Sequence, residues 1–221
     1  MRVMHFAPHP DDDVIGCGGS IAKHIKKGNS VAVVYMTSGD AGSLYYSKEE
    51  LAKIREREAR AAANVFGVTD LTFLGKPDGY LEYNRENLIE VVELIRDKRP
   101  QLVYVPHEND GHADHKATNK IVVESIGRAV APCFQECKGS PWNVKKVLAY
   151  EVWTPLQSFS YIEDITDFME IKLKSLQQHK SQFRNYQFDE GVEGLNRFRG
   201  VMSGKGNYCE CFQVLKTDKL F

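Results

Sequence analysis

Two clusters of histidine and aspartate give the 221-residue chain its chemical potential. The first is Pro8-His9-Pro10-Asp11-Asp12-Asp13, and the second is His107-Glu108-Asn109-Asp110-Gly111-His112-Ala113-Asp114-His115. Three successive carboxylates repel one another, and nothing in folding calls for them. A cation relieves that repulsion, and His9 offers a nitrogen ligand beside it. If the clusters meet in space, they predict a divalent metal site of mixed nitrogen and oxygen ligands. One of the acids is expected to cap a helix. Capping needs a single carboxylate, however, and leaves His9 and the second cluster unexplained.

Such a site divides its labour. Two histidines and one carboxylate leave positions open on the metal, as catalytic centres require. The metal makes hydroxide available near pH 7 by acidifying water. A free carboxylate nearby takes the proton and later returns it to the leaving group. A further imidazole steadies an oxyanion, and a carboxylate bonded to that imidazole orients it. Spacing alone leaves open which of Asp11 and Asp12 binds metal, and which of His112 and His115.

The elements that must position these residues are legible as short apolar runs alternating with amphipathic stretches. Val3 to Ala7 reads as a strand, followed by a helix with Val14, Gly18, Ile21 and Ile25 on one face. Val31 to Met36 is a strand buried on both faces. Ser47-x-x-Glu50 is a capping box opening a helix with an expected stripe of Leu51, Ile54, Ala61 and Val65, ended by Gly67. Leu71 to Leu74 is a third strand, Asn87 to Asp97 a helix, Leu102 to Val105 a fourth strand and Lys116 to Ala129 a helix. Val147 to Trp153 is a fifth strand. A helix from about Ile165 to Ser181, a turn at Gly204 to Asn207 and a strand Cys209 to Leu215 complete the expectation. This alternation predicts an α/β fold, Rossmann-like with three α/β/α layers and a mostly parallel sheet. Strands one and four then adjoin at the switch point, and both His/Asp clusters open into one crevice.

Pro8-His9-Pro10-Asp11-Asp12-Asp13 with Gly18-Gly19, and the later His112-Ala113-Asp114-His115, resemble the PIG-L/LmbE family of zinc-dependent N-deacetylases. The family's motifs are His-Pro-Asp-Asp-Glu and His-x-Asp-His. The likeness extends through Thr37-Ser38-Gly39, Arg55-x-x-Glu58, His179-x-Ser181-Gln182, Arg199-Gly200 and Tyr208-Cys209-Glu210-Cys211-Phe212. It implies zinc, or another divalent metal, bound by His9, Asp12 and His115. Asp11 would be the general base and later the acid, and His112 the oxyanion group with Asp114 behind it. Arg55 corresponds to an arginine that faces substrate in some members, whereas its helix, rich in Glu and Arg, reads equally as a solvated face. Asp13 stands where the family usually has glutamate. The implied substrate is a small amino-sugar conjugate of the N-acetylglucosamine type, water-soluble rather than lipid-linked, from which an acetyl group is removed. Homo-oligomers occur in the family.

Lys plus Arg (29) nearly balances Asp plus Glu (30), which argues against a nucleic-acid surface. No apolar run is long enough for a membrane span. Five cysteines in unrelated spacings, with no leader pattern, suggest reduced thiols, small and buried, in a cytoplasmic protein. One domain over 1–221 is expected, with a core of about 1–155 and an elaboration of about 156–221. Gly16-Cys17-Gly18-Gly19 lacks dinucleotide-loop spacing and suggests close helix packing. His5 and His24 read as structural, and His107 as a support for the site. Trp142, Trp153 and Tyr161 could line a sugar pocket or pack in the core. Three alternatives remain: a different amide on the same scaffold, an iron oxygenase built on His9-x-Asp11, and a non-catalytic metal-binding protein.

Overall fold

A computed structural model describes residues 1–183 and 187–218. Its parallel portion is built from β1 (Arg2–Ala7), α1 (Asp12–Lys26), β2 (Ser30–Thr37), α2 (Lys48–Phe66), β3 (Asp70–Lys76), α3 (Arg85–Lys98), β4 (Leu102–Pro106), α4 (Ala113–Val130) and β5 (Lys146–Tyr150). Then follow β6 (Tyr161–Asp164), a 3-10 turn (Thr166–Phe168), α5 (Met169–Leu176), α6 (Phe188–Ser203) and β7 (Cys209–Thr217). All seven strands join one sheet in the order β3-β2-β1-β4-β5-β7-β6. The first five are parallel, and β7 runs antiparallel to both β5 and β6.

Alternation along β1 divides the core. Val3 and Ala7 face a cluster with Val14 and Ile21 of α1, Ala59, Ala62 and Phe66 of α2, and Met169 and Leu176 of α5. Met4 and Phe6 face Leu88, Val91 and Ile95 of α3 and Ile121, Val122 and Ile126 of α4. Helices on both faces of a mostly parallel sheet are the expected three-layer α/β/α arrangement. β1 and β4 are neighbours, so the switch point lies between them.

Four details differ from the sequence expectation. The buried face of α2 is Leu51, Arg55, Ala59, Ala62, Ala63 and Phe66; Ile54 and Val65 are half-buried and Ala61 is exposed. The stripe is rotated because an arginine takes an inward position. The fifth strand stops at Tyr150, and the main-chain N–H groups of Trp153 and Thr154 turn to Asp110 instead. The expected helix 165–181 is shorter, because after Leu176 the chain breaks into turns and Ser181 bonds Glu58 of α2. Both β6 and α6 went unread. β6 has four residues, and α6 carries Gly191, Gly194 and Gly200, each of which lowers helix propensity.

Candidate active site and metal centre

Both His/Asp clusters lie at the carboxyl rim of the sheet. β1 delivers His9 and Asp11 to the start of α1, and β4 delivers the loop that ends at His112, the N-cap of α4. Parallel pairing of β1 with β4 brings the two loops together. The glycines of α1 seat its middle tightly: a Cβ at Gly18 would lie 2.7 Å from Lys172 and one at Gly19 2.6 Å from Ile165. Close helix packing, not nucleotide binding, explains that run.

Three ligand-type atoms face one another in the crevice. His9 Nδ1 lies 3.1 Å from Asp12 Oδ2, His115 Nε2 lies 3.2 Å from the same oxygen, and the two ring nitrogens are 3.3 Å apart. His9 is 6% exposed, and Asp12 and His115 are fully buried. Tetrahedral ligands at about 2.0–2.2 Å from a metal are spaced by roughly 3.3–3.6 Å, so the trio is close to one face of such a polyhedron. Asp12 Oδ1 is buried and has no hydrogen-bond partner. Three lone-pair atoms this close, beside an orphaned carboxylate oxygen, suit a shared cation. His112 also lies within reach of His9 and His115, and a second grouping brings His9 and His112 together with Asp78 and Asp114. His9 Nε2 faces the carboxylates of that second grouping, whereas His9 Nδ1 faces Asp12 and His115 in the inner trio.

The surroundings fix which nitrogen is available. His9 Nε2 lies 3.0 Å from Asp78 Oδ1 and 3.1 Å from Asp114 Oδ2. Facing two acceptors, Nε2 holds its proton, so Nδ1, beside Asp12, is the nitrogen that would give up a proton to a cation. Asp114 also accepts N–H bonds from Gly79 (2.7 Å) and Leu81 (3.0 Å), which anchor the loop after β3. Asp114 was expected behind His112, but its carboxylate stands behind His9. Its link to His112 is through its main-chain N–H, which donates to His112 Nδ1 at 3.2 Å. That bond leaves the proton of a neutral His112 on Nε2.

Burial and charge pull the acids apart. Burial works against the Asp12 carboxylate, but His115 and His9 outweigh it and hold its pKa far below the usual range. Burial lowers the pKa of His9 as well, but bonds to Asp114, Asp12 and Asp78 raise it overall. Asp11 is pushed up to about 6 by burial, with Arg55 pulling the other way. Burial lifts Asp13 to about 7; it accepts from Tyr35 Oη at 3.1 Å, so the shorter acid still finds a partner. His112 is lowered by burial and then by the neighbouring His9 and His115.

Arg55 is 3% exposed, and its Nη2 lies 2.9 Å from Asp11 Oδ1. A solvated charge is excluded, and its two Nη atoms are committed to the protein. His107 donates Nε2–H to the Thr154 carbonyl (2.7 Å) and only approaches Asp110, at 3.8 Å. Asp110 Oδ1 stands 3.5 Å behind His115 Nδ1. Trp142 donates to the Pro100 carbonyl among core residues, and Tyr161 lies on the edge strand β6, so neither lines the crevice. Trp153 adjoins it through Asp110. Four cysteines are buried and Cys133 is exposed; all five are free thiols.

Two residues at the site carry no expected role in the sequence. Asp110 was visible inside the second cluster, and its offset of five from His115 was the available signal. Asp78 lies in Lys76-Pro77-Asp78-Gly79, a turn sequence by composition, and only the adjacency of β3's loop to the crevice reveals it.

Comparison with known proteins agrees with this geometry. The family model described as "PIG-L: GlcNAc-PI de-N-acetylase" matches residues 4–126. Diacetylchitobiose deacetylase of Thermococcus kodakarensis is 34% identical over 191 residues, covering 82% of this chain and 70% of the relative. 1D-myo-inositol 2-acetamido-2-deoxy-alpha-D-glucopyranoside deacetylase of Geodermatophilus obscurus is 27% identical over 175 residues, 66% of this chain and 60% of that protein. The solved N,N'-diacetylchitobiose deacetylase of Pyrococcus horikoshii superposes with a TM-score of 0.89 at 32% identity, covering 97% of this chain and 83% of that one. With His9-Pro10-Asp11-Asp12 and His112-x-Asp114-His115 joined in one buried crevice, the chain belongs to the PIG-L family.

Proposed function

We propose that the protein is a zinc-dependent N-deacetylase that removes the acetyl group from an N-acetylglucosamine unit in a small, water-soluble glycoside. The observation that carries this reading is the trio of His9 Nδ1, His115 Nε2 and Asp12 Oδ2 at 3.1–3.3 Å, with Asp11 beside it. His9, Asp12 and His115 would hold the cation, which supplies Lewis acidity that makes water a nucleophile near neutral pH. The solved relative named as a diacetylchitobiose deacetylase and the inositol-glycoside relative both carry amino-sugar names, which supports the sugar class. No described helix is long and apolar enough to cross a membrane.

Asp11 takes a proton from the attacking water and returns it to the departing amine. A carboxyl group at about 6 is mostly ionised at pH 7, yet basic enough to hold a proton in passing. His112, neutral and protonated on Nε2, donates to the oxygen of the amide as charge gathers there. Asp114 and Asp78 keep the His9 ring turned so that Nδ1 faces its partners.

The test is amine release from a panel of N-acetylglucosamine glycosides by metal-stripped protein, before and after zinc is restored. Release only with metal is expected. Undiminished release without metal ends the reading. Release from other acyl amides but none from the sugars would favour a different amide on the same scaffold.

A further inference from the structure

A second cavity lies at the end of the sheet remote from the crevice. It has a volume of about 370 Å³ and sits between the last turn of α1 and the face of β4, β5 and β7. That volume is within the range of small-ligand pockets. Leu102, Leu148 and Val214 line it from the sheet, and Tyr161 of β6 stands at its edge. Leu102 opens β4, whereas Pro106 at the other end of that strand leads into the His107–His115 loop. Four residue steps along a strand span about 13 Å, so cavity and crevice are separate places.

One polar group in this cavity has a hydrogen to donate and no partner to receive it. Met1 N donates to Asn29 Oδ1 at 3.1 Å, which turns the Asn29 amide so that Nδ2 faces His24 Nδ1, also at 3.1 Å. An amide Nδ2 can only donate, so His24 Nδ1 accepts and the ring proton sits on Nε2. Nε2–H then donates to Tyr104 Oη at 3.0 Å. The Tyr104 hydroxyl must direct its own hydrogen elsewhere, and no described residue accepts it. His5 is stacked on the Tyr104 ring at 4.4 Å and 3°, so its in-plane nitrogens do not meet the hydroxyl. Burial pushes His24 down to about 4, which keeps its ring neutral and the relay in one direction.

The charge around that hydroxyl has one dominant sign. Lys27, Lys146 and Lys216 line the cavity, and the one carboxylate among the described lining residues, Glu163, is tied to Lys23 and to the Tyr161 hydroxyl. Lys216 Nζ rests on Asn143 Oδ1 at 2.8 Å, whereas Lys27 and Lys146 make no ion pair among the described residues. An open hydroxyl donor, an excess of cations and a wall of leucine and valine suit a ligand that is anionic at one end and apolar at the other.

We propose that this cavity binds a small organic carboxylate with an apolar, ring-sized body, its carboxylate accepting the Tyr104 hydroxyl and facing Lys27 and Lys146. Glu163 lies at the same cavity and repels a doubly charged phosphate more than a single carboxylate. The site uses none of the His9, Asp12 and His115 atoms, so it stands whether or not the chain is a deacetylase.

Three probes test this: benzoate, benzyl alcohol of similar size without the charge, and inorganic phosphate with charge and no ring. Each is titrated into the zinc-loaded full chain and followed by amide and aromatic NMR. Benzoate is expected to saturate, with shifts centred on His24, Tyr104 and Leu148. It should bind about tenfold or more tighter than either comparison, the scale of one charge-assisted hydrogen bond. Tyr104→Phe, which deletes only the hydroxyl, should weaken benzoate by about tenfold. Lys146→Gln should weaken benzoate by about two- to fivefold and leave benzyl alcohol unchanged. If Tyr104→Phe does not fold, Val214→Trp, on the outer part of β7, fills the cavity and should abolish benzoate binding. Equal affinity for benzoate and benzyl alcohol would mean that water satisfies Tyr104, and would overturn the proposal. So would failure of benzoate to saturate, phosphate binding as tightly as benzoate, shifts confined to His9, His112 and His115, or benzoate binding that survives Val214→Trp.

Discussion

His9 and Asp114 are 105 residues apart in the chain, yet the imidazole Nε2 lies 3.1 Å from the carboxylate Oδ2. The same oxygen accepts the Gly79 N–H, so one aspartate ties the His9 ring to the loop after β3. Replacing Asp114 by alanine removes the acceptor that fixes the His9 tautomer and leaves the Gly79 and Leu81 amides without it. Cation affinity should fall by about 10–100-fold, the usual effect of losing such a support. Isothermal titration of the stripped protein with zinc would measure it, and an unchanged affinity would mean that Asp78 alone suffices.

Asp11 and Asp12 should separate cleanly. Asp11→Asn is expected to retain zinc while losing turnover by about 100-fold or more. His115→Ala should lose the metal, and Asp12→Ala likewise, because both supply atoms of the trio. His112→Ala should keep metal and slow kcat by about 100-fold, the order expected for one oxyanion donor. Metal content by elemental analysis beside kcat decides each; a metal-free Asp11→Asn would reverse the assignment of the two carboxylates.

The fold was legible where hydrophobic period and length agreed, as in β1, β2 and α3, and the crevice followed from strand order alone. That the two His/Asp clusters meet was also within reach, since motifs at two strand ends must meet if those strands adjoin, although spacing alone did not choose between Asp11 and Asp12 or between His112 and His115. The side-chain directions of Arg55 and Asp114 were not. Direction of a side chain depends on tertiary partners that spacing does not encode: Arg55 turns inward because Gly39 and Gly42 leave room, and Asp114 turns to His9 because Gly79 and Leu81 present amides there. Asp78 lay hidden in a turn whose composition predicts bending and nothing about what the bend approaches.

Histidines held neutral should each take stability from the fold as the pH falls. Burial, then the Arg55 charge, lowers His179 to about 3, and burial lowers His24 to about 4. In the unfolded chain both titrate near 6.5. Below that value the unfolded state binds protons that the folded state refuses, so this stability is complete above about pH 6.5 and drains toward the folded values. Asp11, Asp13 and His9, all raised, take up protons in the folded state and oppose this trend, so the test is a difference. In urea unfolding of the metal-free protein between pH 7.5 and 5, the change in stability on acidification should be more favourable in His179→Gln than in the wild type, whatever that variant's absolute stability. An identical change would show that His179 is not a neutral buried group.

Lys172 and Glu210 form a fully buried ion pair at 2.8 Å, and the pair locks α1 in place. Lys172 Nζ also donates to Asn196 Oδ1, while Glu210 accepts the Gly19 and Ser20 N–H groups and the Ser20 hydroxyl. Four elements, α1, α5, α6 and β7, therefore meet on two charges. Lys172→Met leaves a carboxylate buried without its cation and should cost about 3–5 kcal/mol in urea unfolding. Adding Glu210→Gln removes the orphaned charge, so the double variant should be less destabilised than the sum of the singles. Additive losses would mean that the two side chains act independently. Because α1 carries Asp12 at its first turn, the Lys172→Met variant should also bind zinc more weakly, and the double variant should recover part of that affinity. Recovery of stability without recovery of affinity would separate the lock from the metal centre and show that the start of α1 holds its own geometry.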